Sequence, residues 1–109
     1  MKGKAEDIIK DESYRQFYMH GTGHWLGMDV HDVGAYTIDG KWRNYEDGMV
    51  VTVEPGLYIA PDDESVDLKW RGIGIRIEDD VVVTKKGPLI LTKNVVKTIE
   101  DIEKLMAQS

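Results

Sequence analysis

Three histidines, His20, His24 and His31, fall within twelve positions and are the only ones in the chain. Downstream, two glutamates stand inside apolar, β-branched runs: Glu54 in VVTVEPG and Glu78 in IGIRIED. A carboxylate in such a run turns to solvent or finds a partner, because burying it unpaired is costly. Arg76, two residues before Glu78, offers one such partner. Taken singly, each glutamate reads as solvent-facing or salt-bridged. Taken together, imidazoles and carboxylates without a thiol make a ligand set for Zn, Mn, Fe or Co. Carboxylate-rich sites of this kind can also hold two ions that share a water. The residues point to a metal centre and leave its substrate open.

The elements that must position these groups are short. Residues 5–10 predict a brief helix with Ile8 and Ile9 as its apolar patch. Across residues 17–34, Gly21, Gly23, Gly27 and Gly34 interrupt any long helix. The histidine segment therefore reads as extended, with at most one turn at His24, Trp25 and Leu26. Asp39-Gly40 signals a turn, followed by a polar loop to Gly48. Residues 49–60 predict a long strand interrupted near Pro55-Gly56. Residues 61–67 form an acidic loop. Residues 72–84 read as strand, with Ile73, Ile75 and Ile77 alternating with Gly74, Arg76 and Glu78, and a bend or bulge at Asp79-Asp80. A turn at Lys85 to Pro88 leads into a brief strand over 88–92. Residues 98–108 predict a helix capped by Thr98, with Glu100 and Asp101 in its first turn. Its stripe of Ile99, Ile102, Leu105 and Met106 is expected to pack in the core. The sum is an α+β chain: an antiparallel sheet with few helices.

Bulk properties narrow the function classes. The 109 residues fit one small domain with a modest core. The net charge of -6 gives no footprint for phosphate backbones, so nucleic acid is not an expected partner. There is no cysteine, which removes disulfides and thiolate ligands and fits a cytoplasmic setting. The N-terminal residues, starting Met1-Lys2-Gly3-Lys4, are polar, without a signal-peptide core, and no apolar run approaches a membrane span. A soluble protein with no membrane partner is expected.

Three strings in register resemble one enzyme family, the pita-bread metallopeptidases. HGTGHWLGMDVHDVG at 20–34 resembles their histidine region, GMVVTVEPGLY at 48–58 their glutamate strand, and RGIGIRIEDD at 71–80 their last ligand strand. Within the family the strings resemble aminopeptidase P most, particularly over residues 71–76. Prolidase shares much of the first two strings, and methionine aminopeptidase fits less well around 31–34.

The resemblance implies a partial pita-bread fold and metal-dependent hydrolysis of an N-terminal Xaa-Pro bond. It implies two divalent ions in the intact enzyme, usually manganese. His24, Glu54 and Glu78 would be metal ligands, and Glu54 would also move protons. His20 and His31 would be catalytic without ligating, and Arg76 would orient the acidic ligands. Trp25 and Tyr58 read as packing beside the site. The family's two aspartate ligands and a further histidine lie upstream of the region matched here, and Asp29 and Asp32 are not those ligands. By the resemblance, residues 1–109 are the C-terminal portion of a catalytic domain. On its own it is expected to bind at most one ion weakly, to be inactive, and to self-associate through exposed apolar strand surface. The alternatives are a prolidase-type dipeptidase and a non-catalytic interaction module with the same fold.

Overall fold

The computed structural model describes residues 3–108. Met1, Lys2 and Ser109 lie outside the described residues, so the reading of the extreme N-terminus as polar is left at the level of sequence. In chain order the elements are α1 (Ala5–Lys10), β1 (Thr37–Ile38), β2 (Lys41–Trp42), β3 (Val50–Val53), β4 (Gly56–Tyr58), β5 (Gly74–Arg76), β6 (Asp79–Val82), β7 (Leu89–Ile90) and α2 (Ile99–Met106). Two 3-10 turns, Ser13–Gln16 and Leu68–Trp70, lie between them. All strand pairs are antiparallel, in agreement with the α+β expectation. Among the described residues no helix is long and apolar enough to cross a membrane.

The chain divides into two compact units. The first comprises Met1–Gly23 with Glu54–Glu78. Its centre is the β4–β5 pair, joined to the N-terminal segment by the Tyr58 amide, which donates to the Phe17 carbonyl at 2.8 Å. Phe17 is buried there. The acidic loop is tied down by Gln16, whose side-chain amide donates to Asp63 at 2.8 Å and to Ser65 at 3.2 Å.

The second unit comprises His24–Val53 with Asp79–Ser109. Its core is a three-stranded sheet in the order β3-β6-β7, with Trp25 and Val51 buried. Asp39 and Gly40 both adopt positive φ, 50° and 74°, the pattern that closes a two-residue hairpin between β1 and β2. A strand therefore occupies Lys41–Trp42, where the sequence reads as loop. Lysine and tryptophan there fit an exposed ribbon, but two residues are too few to show a period.

Three further expectations are corrected. His24, Trp25 and Leu26 form no helical turn. They are extended, and Trp25 bridges Val51 antiparallel, because two flanking amides pair with β3 instead of with their own segment. The bend expected at Asp79-Asp80 lies earlier, at Ile77 and Glu78, and both aspartates are in β6. Pro55 explains the shift. It has no N–H for the ladder, so the chain breaks there, and its carbonyl accepts from the Ile77 amide at 3.2 Å. Finally, α2 forms with the predicted Thr98 cap, whose hydroxyl accepts the Asp101 amide at 3.1 Å. Its apolar stripe is not core: Ile99, Ile102, Leu105 and Met106 are between 43% and 72% exposed.

Candidate metal centre

The histidine segment is held by a ladder that alternates with β3. The Leu26 amide donates to the Val50 carbonyl at 3.1 Å, the Thr52 amide to the His24 carbonyl at 3.0 Å, and the Glu54 amide to the Thr22 carbonyl at 2.7 Å. The His24 amide is taken by the Thr52 hydroxyl at 3.0 Å, and Thr52 is 2% exposed. The backbone of His24 is therefore anchored at both its N–H and its C=O. Its ring is oriented as well. Nδ1 lies 2.9 Å from the Trp25 carbonyl, which can only accept, so in the neutral ring Nδ1 carries the proton and Nε2 the lone pair. Trp25 is itself stacked on Tyr36 at 5.2 Å, and a side chain at Gly34 would meet its ring at 2.6 Å.

A second register brings the glutamates together. β3 pairs β6 with Val53 opposite Asp79, and β4 pairs β5 with Gly56 opposite Arg76. These are one register, and continuing it through the break at Pro55 sets Glu54 opposite Glu78. Like charges directly opposite each other in a sheet are destabilising unless something offsets them. Ligand atoms of His24, Glu54 and Glu78 all lie within 4.8 Å of one another. Two ligands on one ion, each at about 2.0–2.2 Å, lie no more than about 4.4 Å apart. Three ligands cannot all be trans, and tetrahedral ones lie about 3.3–3.6 Å apart, so side-chain shifts of about an ångström would bring the three onto one cation. One imidazole with two carboxylates, one of them only 7% exposed, is a donor set that fits Mn, Zn or Co.

The remaining site residues differ in how they are held. Arg76 does not pair with Glu78. Its Nε lies 3.7 Å from Glu54 Oε2 and donates to the Tyr58 hydroxyl at 2.7 Å. The Tyr58 hydroxyl holds the arginine firmly in its charged form, and the attraction of Tyr58, Glu54 and Glu78 adds to this. His20 has Nδ1 2.7 Å from the Gly21 carbonyl and Nε2 2.7 Å from the Tyr58 hydroxyl. In neutral His20 the proton is on Nδ1, so Tyr58 donates to Nε2 while accepting from Arg76. His31 is exposed and meets the His24 ring edge-on at 4.3 Å between centroids.

Tyr58 is the residue that sequence reading undervalued. Its hydroxyl joins His20 to Arg76, and two glycines make room for it. A side chain at Gly56 would collide with the hydroxyl, and one at Gly74 would meet the ring at 2.9 Å. Glycines at both positions beside a strand tyrosine are the one sequence signal that was available.

Comparison with known proteins gives the chain its family. The model of metallopeptidase family M24 matches residues 1–85. The chain belongs to this family. It is 58% identical over 106 residues to the Xaa-Pro aminopeptidase of Escherichia coli K12, covering 97% of this chain and 24% of that one. The structure of Pseudomonas aeruginosa aminopeptidase PepP superposes with a TM-score of 0.94 at 59% identity, over 99% of this chain and 24% of that one. Aminopeptidase P from E. coli with the inhibitor Pro-Leu gives 0.89 at 56% identity, over 99% and 24%. At these identities the M24 chain has the α+β architecture of part of the pita-bread fold, and it spans about a quarter of its relatives' length. The M24 assignment also implies a divalent metal, which the donor set fits.

Proposed function

We propose that this chain contributes part of the active site of a manganese-dependent aminopeptidase that releases an N-terminal residue preceding proline. The observation that carries the reading is the convergence of His24, Glu54 and Glu78 in a chain 58% identical to an Xaa-Pro aminopeptidase. When bound, a divalent metal would polarise the scissile carbonyl and supply an activated water. The chain's own side chains do the rest. His24 Nε2, Glu54 and Glu78 would hold the cation, and Glu54 would also accept and return a proton. Arg76, 3.7 Å from Glu54 Oε2, would orient that carboxylate. Tyr58 fixes the His20 ring through Nε2, where His20 borders the substrate. His31, exposed beside His24, donates to the substrate next to the bond that breaks.

Three ligands are too few for two ions, so the chain by itself is proposed to bind at most one ion weakly and to be inactive. It is also proposed to self-associate. Its accessible surface of 9112 Å² exceeds the roughly 6,100 Å² usual for a folded monomer of 12.4 kDa. The apolar strand face of Leu57, Ile75 and Ile77 is part of that excess. A cytoplasmic location is the accompanying proposal, supported by the lack of cysteine.

The test replaces the matching segment of the E. coli relative with this chain and loads the hybrid with manganese. Cleavage of Xaa-Pro tripeptides and longer peptides is expected. Cleavage of Xaa-Pro dipeptides alone would assign a prolidase activity instead, and a folded hybrid with no turnover would favour a non-catalytic module. Turnover by the isolated chain, or tight binding of two ions to it, would contradict the partial site. A compact monomer at high concentration in light scattering would remove self-association.

A further inference from the structure

Glu78 has an unusual position for a metal ligand: it lies in the break after β5 and belongs to neither strand. The start of β6, immediately after it, is held with more donors than a strand requires. The Asp79 carboxylate accepts from the Thr92 hydroxyl at 2.5 Å and from the Lys97 ammonium at 3.0 Å. The same Thr92 hydroxyl accepts the Asp80 amide at 3.1 Å, next to the Leu91 amide, which donates to the Asp80 carbonyl at 2.8 Å. Lys97 spends its other two donors on the Thr92 and Val95 carbonyls, each at 3.1 Å. All three ammonium protons are thus committed, and the loop from Thr92 to Lys97 is closed onto the first residue of β6.

We propose that Thr92 and Lys97 are positioning residues for the Glu78 carboxylate, acting through Asp79. The inference rests on the metal-centre reading above. Asp79 shares a peptide bond with Glu78, so a grip on the Asp79 side chain fixes the first residue of β6 and limits the directions in which Glu78 leaves the backbone. The pairing on the other side is the Ile77 amide on the Pro55 carbonyl, which leaves Glu78 between two fixed points. A half-buried ion pair is a poor device for stability alone, because desolvation offsets most of its attraction. Asp79 and Lys97 are each 24% exposed in their side chains.

The test uses the full chain, with Mn²⁺ binding followed by electron paramagnetic resonance and NMR relaxation at Glu78 measured separately on the metal-free chain. Thr92→Val keeps the volume and removes the hydroxyl, Thr92→Ser does the reverse, and Lys97→Met removes the charge. Thr92→Val and Lys97→Met are expected to weaken Mn²⁺ binding about 3- to 10-fold, below or at the edge of what direct partners of ligands cost, and to loosen Glu78. Thr92→Ser should match the parent in both. Parent-like Mn²⁺ binding and Glu78 order in Thr92→Val would overturn the proposal, as would equal losses in the Ser and Val variants. Ile90→Ala, which trims β7 without touching the clamp, should lower the melting temperature and spare the affinity. An equal loss of affinity there would reduce the clamp to general stability. If the parent binds no Mn²⁺, which a site with three of its ligands permits, Glu78 relaxation in the metal-free chain decides the positioning.

Discussion

At Glu54 a carboxylate is only 7% exposed, while on α2 four large apolar side chains are between 43% and 72% exposed. Residue type would have assigned the two regions the other way round. Around Glu54 the backbone is committed on both sides, to Thr22 by its own amide and to the register that faces it with Glu78. The carboxylate is carried inward by the segment that continues β3, and the Arg76 guanidinium lies 3.7 Å away to compensate it. On α2 the local signals are all satisfied, from the Thr98 cap to the apolar stripe, but the stripe stays largely exposed. A helix needs only its own residues to form its period. Burial of its face needs a second surface.

The strongest way to break this contrast is Glu54→Gln. In the manganese-loaded hybrid it should lower kcat/KM by about 10³-fold or more, the several kcal/mol expected of a group that holds the reacting centre. The apo chain should melt at the same temperature or higher, because the charge facing Glu78 is gone. Marked destabilisation of the apo chain would mean that Glu54 is a structural partner of Arg76 and not a ligand held at a cost. Next is Tyr58→Phe, which leaves His20 Nε2 and Arg76 Nε without their shared oxygen. A loss of about 10- to 100-fold in activity is expected, with no more than a small change in melting temperature. Retained activity would return Tyr58 to a packing role.

The effects on α2 should be smaller. Thr98→Ala should cost about 1 kcal/mol of helix stability, read by circular dichroism, because it removes the acceptor of the Asp101 amide. Ile102→Ser should change chain stability by less than about 0.5 kcal/mol, where a core isoleucine would cost several times that. A large loss would show that the stripe is covered in solution. Smallest of all is an acid effect in the loop. Donors from Ser65, hydroxyl before amide, hold the Asp63 carboxyl below the usual carboxylate range. A lowered folded value means the contribution is fully present above the ordinary pKa of about 3.9 and fades as pH falls through the folded value. NMR titration should show the Gln16 side-chain amide shifting only below pH about 4, and Asp63→Asn should abolish that transition.

Much of the site was readable from residue types and order. Three histidines and two strand glutamates, in a chain without cysteine, specify the donor chemistry, because ligand softness is a property of the side chain and not of its surroundings. The elements with strong local signals were readable too. Ala5–Lys10 forms a helix, Asp39-Gly40 turns, and Thr98 caps α2, since periodicity, positive φ and capping each depend on a few adjacent residues.

Long-range pairing supplied the rest. Where the bend falls between Arg76 and Asp79 depends on Pro55, some twenty residues earlier in the chain, which has no amide to give. That Glu54 faces Glu78, that Arg76 bonds to Tyr58 rather than to Glu78, and that the α2 stripe stays exposed are facts about which segments meet. Side-chain chemistry is carried by each residue alone and can be read along the string. Register and cover are shared between distant segments, and they exist only once the backbone hydrogen bonds have chosen their partners.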